Sequence, residues 1–191
     1  MMEPQLSPPE VTARLASSGY RITTVTQMPD VTLRAELDDL LLEYYAVIVH
    51  KLTLAGVPHS YTPSALQASF WPNIGGFLPP TGRLVLASDA TGRLVGCATL
   101  QKVRPDAGEL KRLYVRPEAN GNGLGRMPVD VRIQAARDMG WRSLLVNAIQ
   151  GNQDMLRIYE TLGFRFIDRY AECSDPIEVD PYFVYMQGDL A

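Results

Sequence analysis

Glycines and other small residues are concentrated between Val115 and Arg126, where the chain reads VRPEANGNGLGR. This stretch follows a strand-like run at residues 109–115 and precedes a helix-like run. Glycine lets the main chain approach a ligand closely, so several N–H groups can point at one anion, and the following helix adds the positive end of its dipole. The pattern indicates a phosphate-binding turn, although a plain loop that needs positive φ angles would show the same glycines.

Two common phosphate-binding motifs are excluded by the spacing. A P-loop requires Gly-Lys-Ser or Gly-Lys-Thr, and neither tripeptide occurs in the chain. The dinucleotide motif G-x-G-x-x-G would need a glycine in place of Arg126 or of Pro128. The pattern that remains is Asn120-x-x-Gly123-x-Gly125.

The elements before this turn are predicted from hydrophobic periodicity. Residues 20–27 alternate and read as a strand, and Pro29-Asp30 marks the start of a long amphipathic helix. The predicted buried face of that helix consists of Leu33, Leu37, Leu40, Leu41, Tyr44, Val47 and Ile48. A second helix is predicted over residues 62–70, and a loop over residues 72–80.

The remaining elements alternate between strand and helix. Residues 83–87 and 94–100 predict a hairpin around the turn sequence Asp-Ala-Thr-Gly, and residues 109–115 predict the next strand. After the glycine turn, the predicted apolar helix face consists of Leu124, Pro128, Val131, Ala135 and Met139. A buried parallel strand, a helix that begins at Asn152, and two final strands follow, at residues 143–148, 152–161, 164–170 and 182–186. This order predicts a mixed α/β sandwich around one central sheet.

Composition is ordinary for a globular domain. The chain has 191 residues, of which 46% are hydrophobic and 20% charged, and its formal net charge is −3. We expect a mobile or loosely docked leader at residues 1–19 and one domain over residues 20–191. The acidic balance argues against a nucleic-acid partner, and the sequence has neither a signal-like start nor a membrane-length apolar run. A cytoplasmic location is therefore expected, with Cys97 and Cys173 as free thiols.

Together with three motifs, the order of elements resembles the GNAT superfamily of acyl-CoA N-acyltransferases over residues 20–187. The motifs are the stretch from Glu109 to Arg126, residues 147–152, and Asn152-x-x-Met155-x-x-x-Tyr159-x-x-x-Gly163-Phe164. The resemblance implies a GNAT-like fold, with a central, mostly antiparallel sheet that contains one splayed parallel strand pair and is flanked by helices. The chain departs from the family pattern at Asn120, where the family has Gln or Arg, at Pro128, and at Met155, where the family has Ala.

The resemblance implies acetyl-CoA as the cosubstrate, with no metal. The main chain of Leu113, Tyr114 and Val115 would face the pantetheine arm. The pyrophosphate would lie on the turn formed by Asn120, Gly121, Asn122, Gly123, Leu124, Gly125 and Arg126. Arg116 and Arg126 could add charge-assisted contacts or be solvated surface residues. Asn152 would be either a CoA contact or only a helix cap.

Two residues are candidates for proton transfer by resemblance. Glu109 lies where several family members carry a general base, which would deprotonate an amine of pKa about 10.4. Alternatively, Glu109 pairs with Lys111 or Arg112 on an exposed strand. Tyr159 lies where the family places a general acid near the CoA sulfur, and otherwise it is a packed aromatic residue. The implied mechanism is direct attack by the amine, with orientation and oxyanion stabilisation by a strand amide.

The acceptor is expected to bear an amine, and a small-molecule amine, an amino acid derivative and a protein amine all stay open. The last loop, residues 172–180, contains four acids and no base, which suggests a cationic small molecule or equally an ordinary acidic surface. His50 and His59 lack metal-ligand spacing and are interpreted as surface or acceptor-site residues. A catalytically degenerate module that binds CoA as a sensor or partner, a longer acyl donor, and a homodimer formed through the last hairpin all stay open.

Overall fold

The computed structural model describes residues 19–190, so all but the last residue of the predicted leader lies outside the described residues. Seven strands form one sheet: β1 (Arg21–Val25), β2 (Gly82–Ser88), β3 (Leu94–Arg104), β4 (Ala107–Val115), β5 (Ser143–Ile149), β6 (Arg165–Ile167) and β7 (Phe183–Asp189). The helices are α1 (Val31–Leu54), α2 (Pro63–Ala68), α3 (Met127–Asp138) and α4 (Gln153–Thr161). Three 3₁₀ segments lie at Trp71–Phe77, Pro117–Ala119 and Ile177–Tyr182.

The strand order in the sheet is β1-β2-β3-β4-β5-β7-β6. All neighbours are antiparallel except β4 and β5, which run parallel. This arrangement confirms the predicted fold class, a mixed sheet with one parallel strand pair. A parallel pair requires a long crossover connection, and here the glycine turn and α3 supply it.

Helix α1 begins where the sequence predicted. Asp30 is its N-cap, and the side chain accepts a 2.9 Å hydrogen bond from the main-chain N–H of Leu33. Its buried residues are Leu37, Leu40, Leu41, Tyr45 and Leu52. The predicted face was wrong at Val47, which is exposed, because the helix buries Tyr45 against the sheet instead.

The hairpin of β2 and β3 also agrees with its predicted turn. Oδ1 of Asp89 accepts hydrogen bonds from the main-chain N–H groups of Thr91 and Arg93, and Gly92 has a φ of +90°. Two other predictions need correction. Helix α2 ends at Ala68, and the predicted loop over residues 72–80 is largely the 3₁₀ segment, whose Ile74 and Phe77 enter the core.

The predicted apolar face of α3 was right in part: Leu124 and Pro128 are buried as expected. Val131 and Ala135 are only half-buried, whereas the helix buries Val129, Arg132, Ile133 and Ala136. These four positions have correct helical spacing, but one of them is an arginine, so the apolar pattern could not reveal the face.

The last strands are shifted relative to their predictions. β6 contains only three residues, Arg165–Ile167, because the chain then leaves the sheet for a loop that reaches the buried Tyr170. β7 begins at Phe183 and continues to Asp189. Among the helices within residues 19–190, none combines the length and hydropathy that crossing a membrane requires.

Candidate active site

The site begins where the two parallel strands separate. β4 and β5 pair over four positions, from Ala107–Ser143 to Leu110–Val146, and the last part of β4 pairs only with β3. Beyond Val146, β5 stays paired with β7 on its other side. The divergence opens a wedge in the middle of the sheet, and main-chain groups of the diverging strands face it.

A bulge lies in β4 next to this wedge. The register with β3 shifts between the pairs Cys97–Tyr114 and Thr99–Lys111, so β4 has one extra residue there. Arg112 has a φ of +53°, the only non-glycine residue with positive φ among residues 19–190. Bulges re-aim side chains next to functional sites, and a strained non-glycine residue marks such a position.

The glycine turn leaves several donors unused. Among the described residues, the main-chain N–H groups of residues 121–125 have no hydrogen-bond partner, whereas those of Arg126 and Met127 both bond to the carbonyl oxygen of Gly123. Gly121 and Gly123 have φ angles of +81° and +80°. A Cβ added at Gly121 would meet open space, so the turn is uncrowded on that side. These residues fit a diphosphate, which needs converging N–H donors at a helix N-terminus.

The two arginines near the turn have different environments. Arg126 is half-exposed, and its Nε donates a 2.7 Å hydrogen bond to Asp130, one turn further along α3. Arg116 is buried, and its Nε and Nη2 donate hydrogen bonds of 3.0 and 2.9 Å to the carboxylate of Glu43. Arg116 is therefore neither a solvated residue nor an available phosphate ligand, since it fastens the end of β4 to α1.

A cavity of about 370 Å³ occupies the wedge. Of the predicted site residues it contains Leu113, Tyr114, Asn152 and Tyr159. Glu109, Val115 and the residues of the glycine turn do not line it. The structure thus brings the strand, the start of α4 and the tyrosine together, and it places the turn after the end of β4, outside the cavity.

Tyr159 lies in α4 with its side chain packed against Phe164, at 5.1 Å between ring centroids. Only 1% of Tyr159 is exposed. Burial raises the pKa of Tyr159, and the nearby positive charge of Arg132 acts in the opposite direction. The phenol therefore stays protonated at neutral pH, as a general acid must before it donates a proton.

Arg132 is a fully buried arginine in α3. Its Nε donates to the carbonyl oxygen of Pro128 at 2.9 Å, and its Nη1 donates to those of Thr99 and Lys111 at 2.8 and 3.2 Å. Within the described part of the chain, Nη2 has no hydrogen-bond partner. The guanidinium is close enough to Tyr159 to affect its pKa, but no hydrogen bond of normal geometry joins the two groups. It therefore ties the β4 bulge to the helix that follows the glycine turn.

Glu109 is completely buried beside the cavity. Its carboxylate accepts hydrogen bonds from the Tyr170 hydroxyl and, at 2.7 Å, from Nε2 of Gln101. Lys111 Nζ lies 3.4 Å from Glu109 Oε1, 3.1 Å from the Ser174 hydroxyl oxygen and 3.5 Å from Asp175 Oδ2. The predicted pairing with Lys111 exists, but on a buried rather than an exposed strand.

Asn152 stands at the N-cap position of α4 without making the predicted cap. Its side chain forms no cap hydrogen bond, and Oδ1 instead accepts a 3.0 Å hydrogen bond from Lys51 Nζ. This contact joins the start of α4 to α1 across the cavity.

The acids of the last loop are mostly neutralised. Glu172 pairs with Arg104, Asp175 with Lys111, and Asp180 with Arg169. The absence of bases from the loop sequence was therefore misleading, because the bases come from other elements. Asp175, which also accepts a 2.5 Å hydrogen bond from Asn147 Nδ2, is the acid of this loop that lines the cavity.

The two histidines lie apart from this chemistry. His50 is exposed, and His59 stacks on Tyr61 at 5.5 Å between ring centroids. Within the described part of the chain, His, Cys, Asp and Glu side chains form no group of three that could hold a metal ion. Both cysteines are free thiols.

A larger groove, of about 1130 Å³, runs along the other side of α3. It is lined by Tyr20, Arg126, Asp130 and Arg137 among others, but by neither Tyr159 nor the separating strands. If volume were the only criterion, this groove would be the candidate active site. The smaller cavity has the strand wedge, the bulge and Tyr159, and Glu109 is buried beside it, so it is the candidate active site.

Comparison with known proteins identifies the same family that the sequence motifs resemble. The model of the Acetyltransferase (GNAT) family matches residues 40–164, more than half of the chain. An uncharacterized N-acetyltransferase of Schizosaccharomyces pombe is 32% identical over 114 residues, which are 59% of this chain and 67% of that protein. Alignments with three further curated relatives span only 32%, 51% and 33% of those proteins.

Solved structures agree on the fold. An acetyltransferase of the GNAT family from Staphylococcus aureus superposes with a TM-score of 0.64 at 17% identity, over 90% of this chain and 100% of that one. A GNAT family acetyltransferase from Elizabethkingia anophelis with acetyl-CoA bound gives 0.55 at 18% identity, over 90% of this chain and 98% of that one.

Proposed function

Because the chain belongs to the GNAT acetyltransferase family, we propose that it transfers an acetyl group from acetyl-CoA to the nitrogen of an amine acceptor. The observation that carries the proposal is the unused row of N–H donors at residues 121–125, directly after the strand that lines the cavity. The structure of a family member with acetyl-CoA bound supports the choice of cosubstrate.

Acetyl-CoA would supply the thioester whose acetyl group is transferred. The main chain of residues 120–126 would bind its pyrophosphate, and the main-chain groups of Leu113, Tyr114 and Val115 would hold the pantetheine arm. An arm that pairs with a free strand edge is oriented by several hydrogen bonds at once. The divergence of β4 from β5 after Leu110 supports this assignment.

In the proposed reaction the acceptor nitrogen forms a C–N bond with the acetyl carbon as the C–S bond breaks. Tyr159 donates a proton to the departing sulfur, and α4 holds it at the cavity. A phenol with a pKa of about 10 stays protonated at neutral pH, so at hydrogen-bond range it can stabilise the negative charge that develops on the sulfur, whose thiol has a pKa of about 8.5.

The proton that leaves the nitrogen passes to a carboxylate. Glu109 is the base in this proposal, although its burial means that it acts through Lys111 or a water molecule rather than by direct contact. Its 3.4 Å separation from Lys111, which lines the cavity, supports such a path. Asp175 is the competing carboxylate, since it lines the cavity itself.

A screen of acyl-CoAs against a broad panel of amines tests the proposal, with release of free CoA thiol as the readout. We expect acetyl-CoA to support transfer to at least one amine. Preference for a longer acyl-CoA would correct the donor. CoA binding without transfer to any amine would overturn the enzymatic assignment in favour of a CoA-binding sensor or partner module.

A further inference from the structure

Arg112 occupies an unusual position beside the cavity. It stands at the β4 bulge with positive φ, and its guanidinium lies over the rings of Phe77 and Phe70, at 4.6 and 5.5 Å from their centroids. Backbone strain of this kind persists where the surroundings enforce it. The aromatic contacts hold the guanidinium in one place.

The polar partners of Arg112 are neutral. Its Nε donates a 3.0 Å hydrogen bond to the Tyr45 hydroxyl, and its Nη1 donates a 3.4 Å hydrogen bond to the Thr99 hydroxyl. None of the ion pairs formed by residues 19–190 includes Arg112. A half-buried guanidinium without a counter-ion is costly, and its planar fork matches a carboxylate.

The side chains that line the cavity carry more positive than negative charge. The charged side chains are Lys51, Lys111, Arg112 and Asp175, and the one acid already lies 3.5 Å from Lys111. Lys51 bonds to a neutral amide, that of Asn152. Of the other acids of the last loop, Glu172 and Asp180 pair with Arg104 and Arg169, and none of them lines the cavity, so they do not offset its positive charge.

We infer that the acceptor is a primary amine that also bears a carboxylate, and that Arg112 binds this carboxylate. Tyr44, Tyr45 and Tyr61, which also line the cavity, provide aromatic surface for the rest of the acceptor. The inference rests on the proposed function and narrows its substrate to amino-acid-like molecules. It favours an amino-acid-like acceptor over the cationic small molecule that the acids of the last loop suggested, because the cavity presents more positive than negative side chains.

The first test uses the unaltered protein and matched acceptors. An amino acid is compared with the amine that lacks only its carboxylate and with its carboxamide, at rates corrected for the unprotonated fraction of each amine. We expect kcat/KM to be at least about tenfold higher for the carboxylate-bearing member, which corresponds to about 1.4 kcal/mol. Equal or higher kcat/KM for the decarboxylated amines, across a panel of side chains, would overturn the inference.

The second test uses Arg112→Gln and Arg112→Lys, with Arg93→Gln as the matched control because that arginine forms an exposed ion pair with Glu118. We expect Arg112→Gln to reduce the preference for carboxylates to about one, Arg112→Lys to keep part of it, and the control to keep all of it. Calorimetry of acceptor binding to the CoA-loaded protein gives a readout that does not depend on turnover. A wild-type preference in Arg112→Gln would contradict the assignment.

The two proposals can fail separately. If the protein transfers acetyl groups but ignores carboxylates, only the acceptor class is wrong. If it binds CoA and transfers nothing, the proposed function is wrong, and calorimetry with the same amine pairs still reports whether Arg112 selects a carboxylate. Should Arg112→Gln fail to fold because it loses the contacts with Phe70 and Phe77, Arg112→Lys and the substrate comparison decide.

Discussion

The hydroxyl of Tyr170 donates a hydrogen bond to the carboxylate of Glu109, a side chain that is 0% exposed. Neither Tyr170 nor Gln101, the hydrogen-bond donors to Glu109, lines the cavity, whereas Lys111 does, so Lys111 connects the candidate base to the cavity. Burial raises the pKa of Tyr170, and the negative charge of the nearby Glu109 raises it further. The phenol therefore stays protonated and continues to donate to the carboxylate at neutral pH.

Two carboxylate variants distinguish the routes for the proton. If Glu109 is the base, Glu109→Gln should lower kcat by about 10²-fold or more, the range that general base catalysis contributes, whereas Asp175→Asn should mainly raise KM for the acceptor. Steady-state kinetics with each substrate varied separates the two effects. Tyr170→Phe is the control for simple disturbance of the buried cluster, and the reverse ranking of the two variants would transfer the role to Asp175.

Gly123→Asp should abolish CoA binding. The substitution places a negative charge beside the expected diphosphate and forces a side chain onto a residue with a φ of +80°. Calorimetric titration with CoA measures the affinity. Gly140→Asp is the matched control, since Gly140 also has positive φ and open space but lies at the other end of α3. Unchanged CoA affinity in the Gly123 variant would place the diphosphate elsewhere.

Tyr159→Phe should lower kcat by about 10²-fold and leave CoA affinity nearly unchanged, because it removes a proton donor without removing the buried ring. Burst and steady-state measurements with the best acceptor, together with calorimetry, give both quantities. Tyr182→Phe, a half-buried tyrosine that does not line the cavity, controls for loss of a hydroxyl. Equal turnover in the Tyr159 variant would remove the acid role.

Arg132→Met should raise the pKa of Tyr159 further, because the buried positive charge that opposes the effect of burial is lost. A phenol acts as an acid only while protonated, so the alkaline limit of kcat should move to higher pH, and kcat at neutral pH should fall because the donor is weaker. We also expect a loss of about 1–3 kcal/mol in the free energy of unfolding, from carbonyl oxygens left without donors.

Arg132→Lys keeps the charge and should retain more of the wild-type pH profile than Arg132→Met. The pH dependence of kcat and urea denaturation measure the two effects. A pH profile that is the same in all three proteins would show that Arg132 only supports the bulge.

The two thiols should differ in reactivity. Burial raises the pKa of Cys97 to about 12, and burial also raises the pKa of the partly exposed Cys173. With iodoacetamide near pH 8, the native protein should be alkylated at Cys173 only, at a rate that keeps rising with pH beyond the usual thiol range. Peptide mass spectrometry identifies the site, and alkylation of Cys97 at a comparable rate would contradict its burial.

The sequence predicted the fold more completely than the site. The turn residues Asp89 and Gly92 and the cap at Asp30 are local signals, and each lies where it was expected. Part of the buried face of α3 was missed because Nη1 of Arg132 donates to carbonyl oxygens of the distant strands β3 and β4, and such pairing leaves no trace in local composition.

The same limit applies around the cavity. Nothing near Tyr170 in sequence signals a bond to Glu109, and the acids of the last loop gain their partners from β3, β4 and the loop after β6. The bulge at Arg112 depends on the register between β3 and β4, which no single segment specifies. Charge complementarity in the site is therefore a tertiary property.

Four residue pairs between β4 and β5 are the only strand pairing that joins the two halves of the described sheet, β1–β4 and β5–β7. A pantetheine arm in the wedge would connect the two halves, because it would add hydrogen bonds where β4 and β5 do not pair with each other. Binding of CoA should therefore make this part of the sheet more rigid. Hydrogen exchange along residues 111–115 should slow, and the melting temperature should rise with CoA concentration. Without CoA, β4 and β5 should separate more often at this junction, and such opening would admit a bulky cosubstrate.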